Sequence, residues 1–197
     1  MIKTETNIQL PIDRLLYLNG TITCENIGQI IKSINEIRRA DIALLEKYKS
    51  FGGKYEAEPI LLYINSGGGD VYHTMGLLPL MAQPVDAPGS RTPVDTFCLG
   101  IAASMALIVF LCGRRRYCTP LSRFLIHNLF SMAIGDITDM KTNTEETRKL
   151  QSILDTIIIS NSKITKKLLD TKITKKHDWW LSADEARRLG MITSVLM

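Results

Sequence analysis

The segment 59–64, Pro59-Ile60-Leu61-Leu62-Tyr63-Ile64, is apolar throughout and has the length of one strand. It restricts the fold more than any other stretch. A strand covered on one face alternates polar and apolar residues, whereas an unbroken apolar run is typical of a parallel strand covered on both faces, and parallel strands need helices between them. The residues downstream agree. Asn65-Ser66-Gly67-Gly68-Gly69-Asp70 reads as a glycine turn and Val71–Met81 as a helix. Residues 84–93, rich in Pro, Gly, Asp and Ser, read as a loop, and 94–99 as the next strand. This is a βαβ unit, and an α/β fold is expected.

The flanking segments fit that frame. Residues 15–23 read as a short strand bent or closed at Asn19-Gly20. From 25 to 49 apolar residues recur at helical spacing (Ile27, Ile30, Ile31, Ile34, Ile37, then Ile42, Leu44, Leu45 and Tyr48), giving one long helix or two joined ones, ended by Phe51-Gly52-Gly53-Lys54. A buried helix at 104–111 leads through Arg114-Arg115-Arg116 to a short strand, 123–127, that ends on His127. Residues 129–136 are irregular, strand or loop. A helix is expected over 139–169, with Leu150, Ile153, Leu154, Ile157, Ile158 and Ile164 as its buried stripe. A last helix, 182–189, opens on a Ser182/Glu185 capping box and stops at Gly190.

Composition excludes several classes. With 197 residues, 45% hydrophobic and 22% charged, the chain fits one soluble domain with a substantial core. The net charge of +4 is scattered apart from Arg114-Arg115-Arg116 and the lysine pairs at 166–167 and 175–176, a poor footprint for nucleic acid. Four cysteines, Cys24, Cys98, Cys112 and Cys118, form no CxxC pair. Free thiols in a reducing cytosol are expected, with neither a disulfide framework nor a metal site. No signal peptide is expected at the start. The uncharged run 97–112 falls short of the roughly 20 residues that span a bilayer, so no membrane segment is expected.

The chemistry centres on Gly100-Ile101-Ala102-Ala103-Ser104-Met105, a lone hydroxyl between an apolar strand and an apolar helix. Ser104 is either a nucleophile or a helix-packing serine bonded to its own backbone. With a nucleophile there, Gly100, Ala102 and Ala103 would be small to leave room for a substrate carbonyl. Gly67-Gly68-Gly69 offers backbone N–H groups, but lacks the lysine and serine of a P-loop and the spacing of a dinucleotide fingerprint. The choice there lies between an oxyanion hole and a plain turn. Of the three histidines, His73 sits where a helix dipole disfavours imidazolium, and His177 lies in a polar segment. His127, at a strand end, is the best placed base. Asp70, Asp136, Asp139, Asp170 and Asp178 remain open as the acid that orients it.

Four segments taken together are specific. Ile64-Asn65-Ser66-Gly67-Gly68-Gly69, Gly100-Ile101-Ala102-Ala103-Ser104-Met105, Arg123-Phe124-Leu125-Ile126-His127, and the run from Asp178-Trp179-Trp180-Leu181-Ser182 through Ala186 to Gly190 occur in order. This order resembles the ClpP family, the proteolytic subunits of Clp protease, over about 15–196. The resemblance implies a single serine peptidase domain, 1–197, with a crotonase-like fold: a repeated ββα superhelix and a protruding strand–helix handle at about 129–169. It implies Ser104 as nucleophile, His127 as base, Asp178 as orienting acid, and the backbone N–H groups of Gly69 and Met105 as oxyanion donors. It also implies a cytoplasmic tetradecamer of two heptameric rings, fed unfolded protein by an AAA+ ATPase, without cofactor, metal, nucleic acid or membrane. Residues 129–136 would take a substrate peptide as an added strand, and Leu61 and Tyr63 would lie near the ATPase docking surface.

The sequence departs from the family at several points. Gly67 stands where proline is usual, 37–58 and 86–93 are extended, the turn at 114–116 is shorter, and Trp179-Trp180 replaces a more polar pair. The competing readings are a non-catalytic ring subunit and a crotonase-like acyl-CoA enzyme, which would need a glutamate pair in place of Ser104 and His127.

Overall fold

The computed structural model describes residues 13–82, 92–129, 136–173 and 178–196. Its elements are β1 (Leu15–Ile22), α1 (Cys24–Ser50), β2 (Ile60–Gly69), α2 (Val71–Met81), β3 (Val94–Ala103), α3 (Met105–Leu111), β4 (Arg116–Cys118), β5 (Arg123–Ile126), α4 (Ile137–Ser160), α5 (Lys166–Ile173), β6 (Trp179–Ser182), α6 (Ala183–Arg188) and β7 (Ser194–Val195). One sheet runs β1-β2-β3-β4-β7, with β5 joined to β3 and β6 to β5. Every pairing is parallel except β5 with β6. The α/β expectation holds.

β3 has two neighbours in succession. Its first half pairs with β4 (Thr96↔Arg116 to Cys98↔Cys118) and its second half with β5 (Ile101↔Arg123 to Ala103↔Leu125). The change falls at an irregularity where Ile64 pairs with Cys98 but Ser66 with Ala102. Asn65 Oδ1 fills it, accepting the Ile101 N–H at 3.2 Å. A Cβ on Gly100 would stand 2.8 Å from that oxygen, and Ala102 and Ala103 are buried in the sheet. Packing within the sheet, rather than clearance for a substrate carbonyl, therefore explains these small residues.

The glycines of β2 are likewise strand rather than turn. Thr21 pairs with Gly68 and Ile22 with Gly69. Gly69 has φ +151, and a Cβ there would run into the Ile22 backbone. Nor is β2 covered twice: Ile60, Leu62, Ile64 and Ser66 are buried, while Leu61 and Tyr63 are only half-buried. One face carries these buried residues, the apolar ones of which pack with the helices in a single core. Across the other, Tyr17, Tyr63, Phe97 and Tyr117 form a row over four strands, with ring centroids 5.4, 5.4 and 6.5 Å apart. The unbroken apolar run is thus one core face plus this aromatic face, not a strand covered by helices on both sides.

α1 is a single helix, opened by Thr23. The Thr23 Oγ1 accepts the Asn26 N–H, and the Asn26 Oδ1 accepts the Thr23 N–H at 2.9 Å, a capping box. The expected helix 139–169 is two helices, α4 and α5. Asn161 Nδ2 donates to the Ile157 carbonyl and Ser162 Oγ to that of Ile158, while Ser162 Oγ accepts the Ile164 N–H. Such local bonds compete with helix continuation. The first half of α4 is almost wholly exposed, and its buried residues begin at Leu150. The short strands β4, β6 and β7 were not expected. α6, its Ser182/Glu185 box and the stop at Gly190 were. Most of the loop 84–93 and of 129–136 lies outside the described residues.

Candidate active site

Ser104 is the one non-glycine residue among those described with a positive φ (φ 54, ψ −128). Such backbone costs a side-chain-bearing residue about 1–3 kcal/mol. The surrounding bonds hold it there: its N–H donates to the Leu125 carbonyl at 3.1 Å, and its carbonyl accepts from Leu107 at 3.0 Å and Ile108 at 3.3 Å. β3 ends one residue before it and α3 begins one residue after, so the hydroxyl sits on a sharp strand-to-helix turn. Its side chain makes no capping bond.

Gly68 packs against this turn. A Cβ on Gly68 would lie 2.7 Å from the Ser104 Cβ, 2.9 Å from the Ala103 oxygen and 3.1 Å from the Met105 nitrogen. In the sequence Gly68 is one of three adjacent candidate glycines, and which of them meets the serine is decided by the strand register. Gly69 instead lines a neighbouring open hollow with Asp70, Val71, Leu129 and Glu146. Met105, the other expected donor, is the first residue of α3, where an N–H has no acceptor within the helix.

His127 follows the last residue of β5. It shares with Ser104 a narrow cleft walled by Leu107, Ile108, Leu129, Gln151, Leu154 and Ile158. Asp178 precedes β6. The antiparallel ladder runs to Ile126↔Trp179, so its next rung falls on His127 and Asp178. The fold thus brings the three residues to one corner, where the β3–α3 turn meets the ends of β5 and β6. Among the described residues no hydrogen bond joins them, and Asp178 is exposed.

The other candidates have local duties. Asp70 caps α2, accepting the His73 N–H at 2.8 Å and lying 2.9 Å from His73 Nδ1. That backbone N–H, more than any other cause, holds the Asp70 carboxyl below its usual value. Asp136 caps α4, Asp139 lies in its first turn, and Asp170 accepts from Lys166 at 2.7 Å. His177 lies outside the described residues. All four cysteines are free. Burial pushes the thiols of Cys98, Cys112 and Cys118 up to about 12, 11 and 11, which leaves them unreactive near neutrality. Among the described residues no His, Cys, Asp and Glu cluster is suited to a metal ion, and no helix is long and apolar enough to cross a membrane.

A parallel sheet with a strained serine at a strand-to-helix turn, beside a histidine in an apolar cleft, has the outline of a serine hydrolase. Residues 50–197 match the family described as Clp protease, and the chain belongs to that family. An ATP-dependent Clp protease proteolytic subunit of Bacteroides thetaiotaomicron is 36% identical over 142 residues, covering 70% of this chain and 60% of that protein. One from Bacteroides fragilis shows the same identity over the same length, covering 64% of its own chain. The match thus spans less than two thirds of these relatives' length.

Proposed function

We propose that the chain is a serine endopeptidase of Clp type, with Ser104 as nucleophile, His127 as general base and Asp178 as the acid that orients the histidine. The observation that carries this reading is the strained conformation of Ser104. A serine with no capping role has no structural need for such backbone, whereas a nucleophile gains exposure from it. In the mechanism, Ser104 Oγ attacks a peptide carbonyl carbon while its proton passes to His127. The tetrahedral oxyanion takes the Met105 N–H, with a second N–H from the 67–69 strand end; Gly68 lies nearest Ser104, and Gly69 is the donor expected from the resemblance. On collapse His127 protonates the leaving amine, and water then releases the acyl group from Ser104 by the reverse transfer. The hydrogen bonds of the triad close on assembly or on substrate binding.

Family membership supports the remaining features of the proposal. The chain is one domain, 1–197, and 129–169 is a handle through which copies stack as two heptameric rings; the exposed first half of α4 fits that role. An AAA+ ATPase, the kind of partner implied by the relatives' name, docks on the aromatic face around Leu61 and Tyr63 and feeds unfolded protein. The site uses no cofactor, and the protein acts in the cytoplasm. A fluorophosphonate probe tests the chemistry: the wild-type chain is labelled and Ser104→Ala is not. The open triad favours one second reading, a non-catalytic ring subunit. Absence of labelling near neutral pH in a protein that light scattering finds as a ring would establish that reading instead.

A further inference from the structure

Gln151, on α4, stands between the Ser104 cleft and an open outer hollow that Arg148, Asp155 and Lys166 also line. Its Oε1 accepts the Leu129 N–H at 2.7 Å, and its Nε2 donates to Asp155 Oδ1 at 2.7 Å. The other oxygen of Asp155 accepts from Lys166 Nζ at 2.9 Å, and Lys166 also reaches Asp170 at 2.7 Å. Asp155 is 6% exposed. A buried carboxylate needs donors on both oxygens, and here Gln151 and Lys166 supply them. The carboxylate only accepts and the Leu129 N–H only donates. A residue bridging them must accept at one end and donate at the other, and a neutral amide does so where a carboxylate or a methyl group does not. Leu129 is two residues beyond His127 and lines both the Ser104 cleft and the neighbouring hollow. Asn128, between them, donates to the Ile173 carbonyl at 2.9 Å, so α4 and α5 tether the same short segment.

We infer that Gln151 is a positioning residue which, oriented by Asp155 and Lys166, fixes the segment 127–129 and so holds His127 against Ser104. The inference rests on the peptidase reading, and it ties the α4–α5 junction to the geometry of the base. Three substitutions test it. Gln151→Leu removes both bonds at similar volume. Gln151→Glu keeps the acceptor for Leu129 but sets two carboxylates together. Gln151→Glu combined with Asp155→Asn reverses the middle bond and restores a complete chain of donors and acceptors. The expected result is a fall of about ten- to a hundredfold in fluorophosphonate labelling rate and peptide kcat for both single variants. KM stays within about twofold, and the double variant recovers most of the loss. A purely structural role would lower Tm without changing the labelling rate of the folded protein. Where wild type is labelled, an equal labelling rate in Gln151→Leu, both proteins folded and of one size, overturns the inference. Amide hydrogen exchange at Leu129 separates the two readings. Faster exchange in Gln151→Leu supports the tether even where wild type proves unlabelled, a result that counts against the peptidase alone, while unchanged exchange overturns the tether.

Discussion

Asp41 and Ser104 are both polar side chains set into the apolar body of the fold, and their surroundings treat them in opposite ways. Asp41 is 3% exposed and accepts from two nitrogens of Arg14, from Tyr55 Oη at 2.6 Å and from Thr92 Oγ1. Arg14 also donates to the Glu58 carbonyl at 2.9 Å. Every lone pair is used, and the result is mechanical: the second half of α1 and the segment leading to β2 are pinned to the starts of β1 and β3. Ser104 is held by its backbone alone, in a conformation that serine resists, with a side chain that makes no hydrogen bond among the described residues. Satisfaction marks the structural site, and strain with unused hydrogen-bonding capacity marks the reactive one.

Breaking the satisfied site has the largest expected effect on stability. Asp41→Ala leaves the Arg14 guanidinium facing Tyr55 and Thr92 without its acceptor, and removing one partner of a buried pair costs about 3–5 kcal/mol. Denaturant unfolding measures this, and a loss below about 1 kcal/mol, the worth of a surface pair, would end the contrast. The pH dependence carries the same signature. Burial pushes the Asp41 carboxyl up, but the bonds from Arg14, Thr92 and Tyr55 outweigh it, so the folded value lies below the ordinary 3.8. Its contribution is therefore complete above the unfolded value and is lost as pH falls through the folded one. Burial, then the Asp41 bond, raises Tyr55 from 10.0 to about 12. That contribution is present below the unfolded value and is lost as pH rises through the folded one. The wild-type stability curve drops at both ends, and the Asp41→Ala curve is flatter at each.

Gly68→Ala comes next and touches the strained site from behind. The new Cβ would arrive 2.7 Å from the Ser104 Cβ at a residue whose φ is +99, so backbone strain of about 1–3 kcal/mol is added and the serine is displaced. We expect a lower Tm together with slower fluorophosphonate labelling. Gly67→Ala, where a Cβ meets nothing within 4 Å, serves as the control and leaves labelling unchanged. Equal labelling in both variants would mean that the turn does not depend on Gly68.

Much of this was legible in the sequence, because spacing reports local structure. Helical periodicity gave α1 from Ile27 to Tyr48, the capping pair gave α6, and β5 was found with His127 at its end. What escaped was set by pairing. Trp179-Trp180-Leu181-Ser182 becomes a strand because β5 offers it an edge, and Arg116-Tyr117-Cys118 because β3 and β7 flank it. Neither segment carries a period that says so. The glycines of β2 looked like a turn because a close approach of two strands and a positive φ select the same residue. In the candidate site, Ser104 and His127 stood out through their rarity in apolar settings. Asp178 did not, since five aspartates at element ends look alike until the register sets one beside the histidine. Gln151 left no trace either, being one polar residue on an amphipathic helix.

The smallest effect tests the strain directly. Ser104→Ala deletes the hydroxyl but keeps a Cβ, and with it the conflict at φ 54, so its stability should match the wild type. Ser104→Gly deletes both. Relief of about 1–3 kcal/mol, offset by about 0.5–1 kcal/mol for the extra freedom of glycine in the unfolded chain, leaves a net gain of about 1 kcal/mol. In a chain of this length that raises Tm by about 2–4 °C. Neither variant should accept the fluorophosphonate, so the pair separates what the serine does for chemistry from what it costs the fold. A glycine variant no more stable than the alanine one would show that the turn is as relaxed as the network around Asp41, and the unusual backbone of Ser104 would then lose its value as a mark of the reactive site.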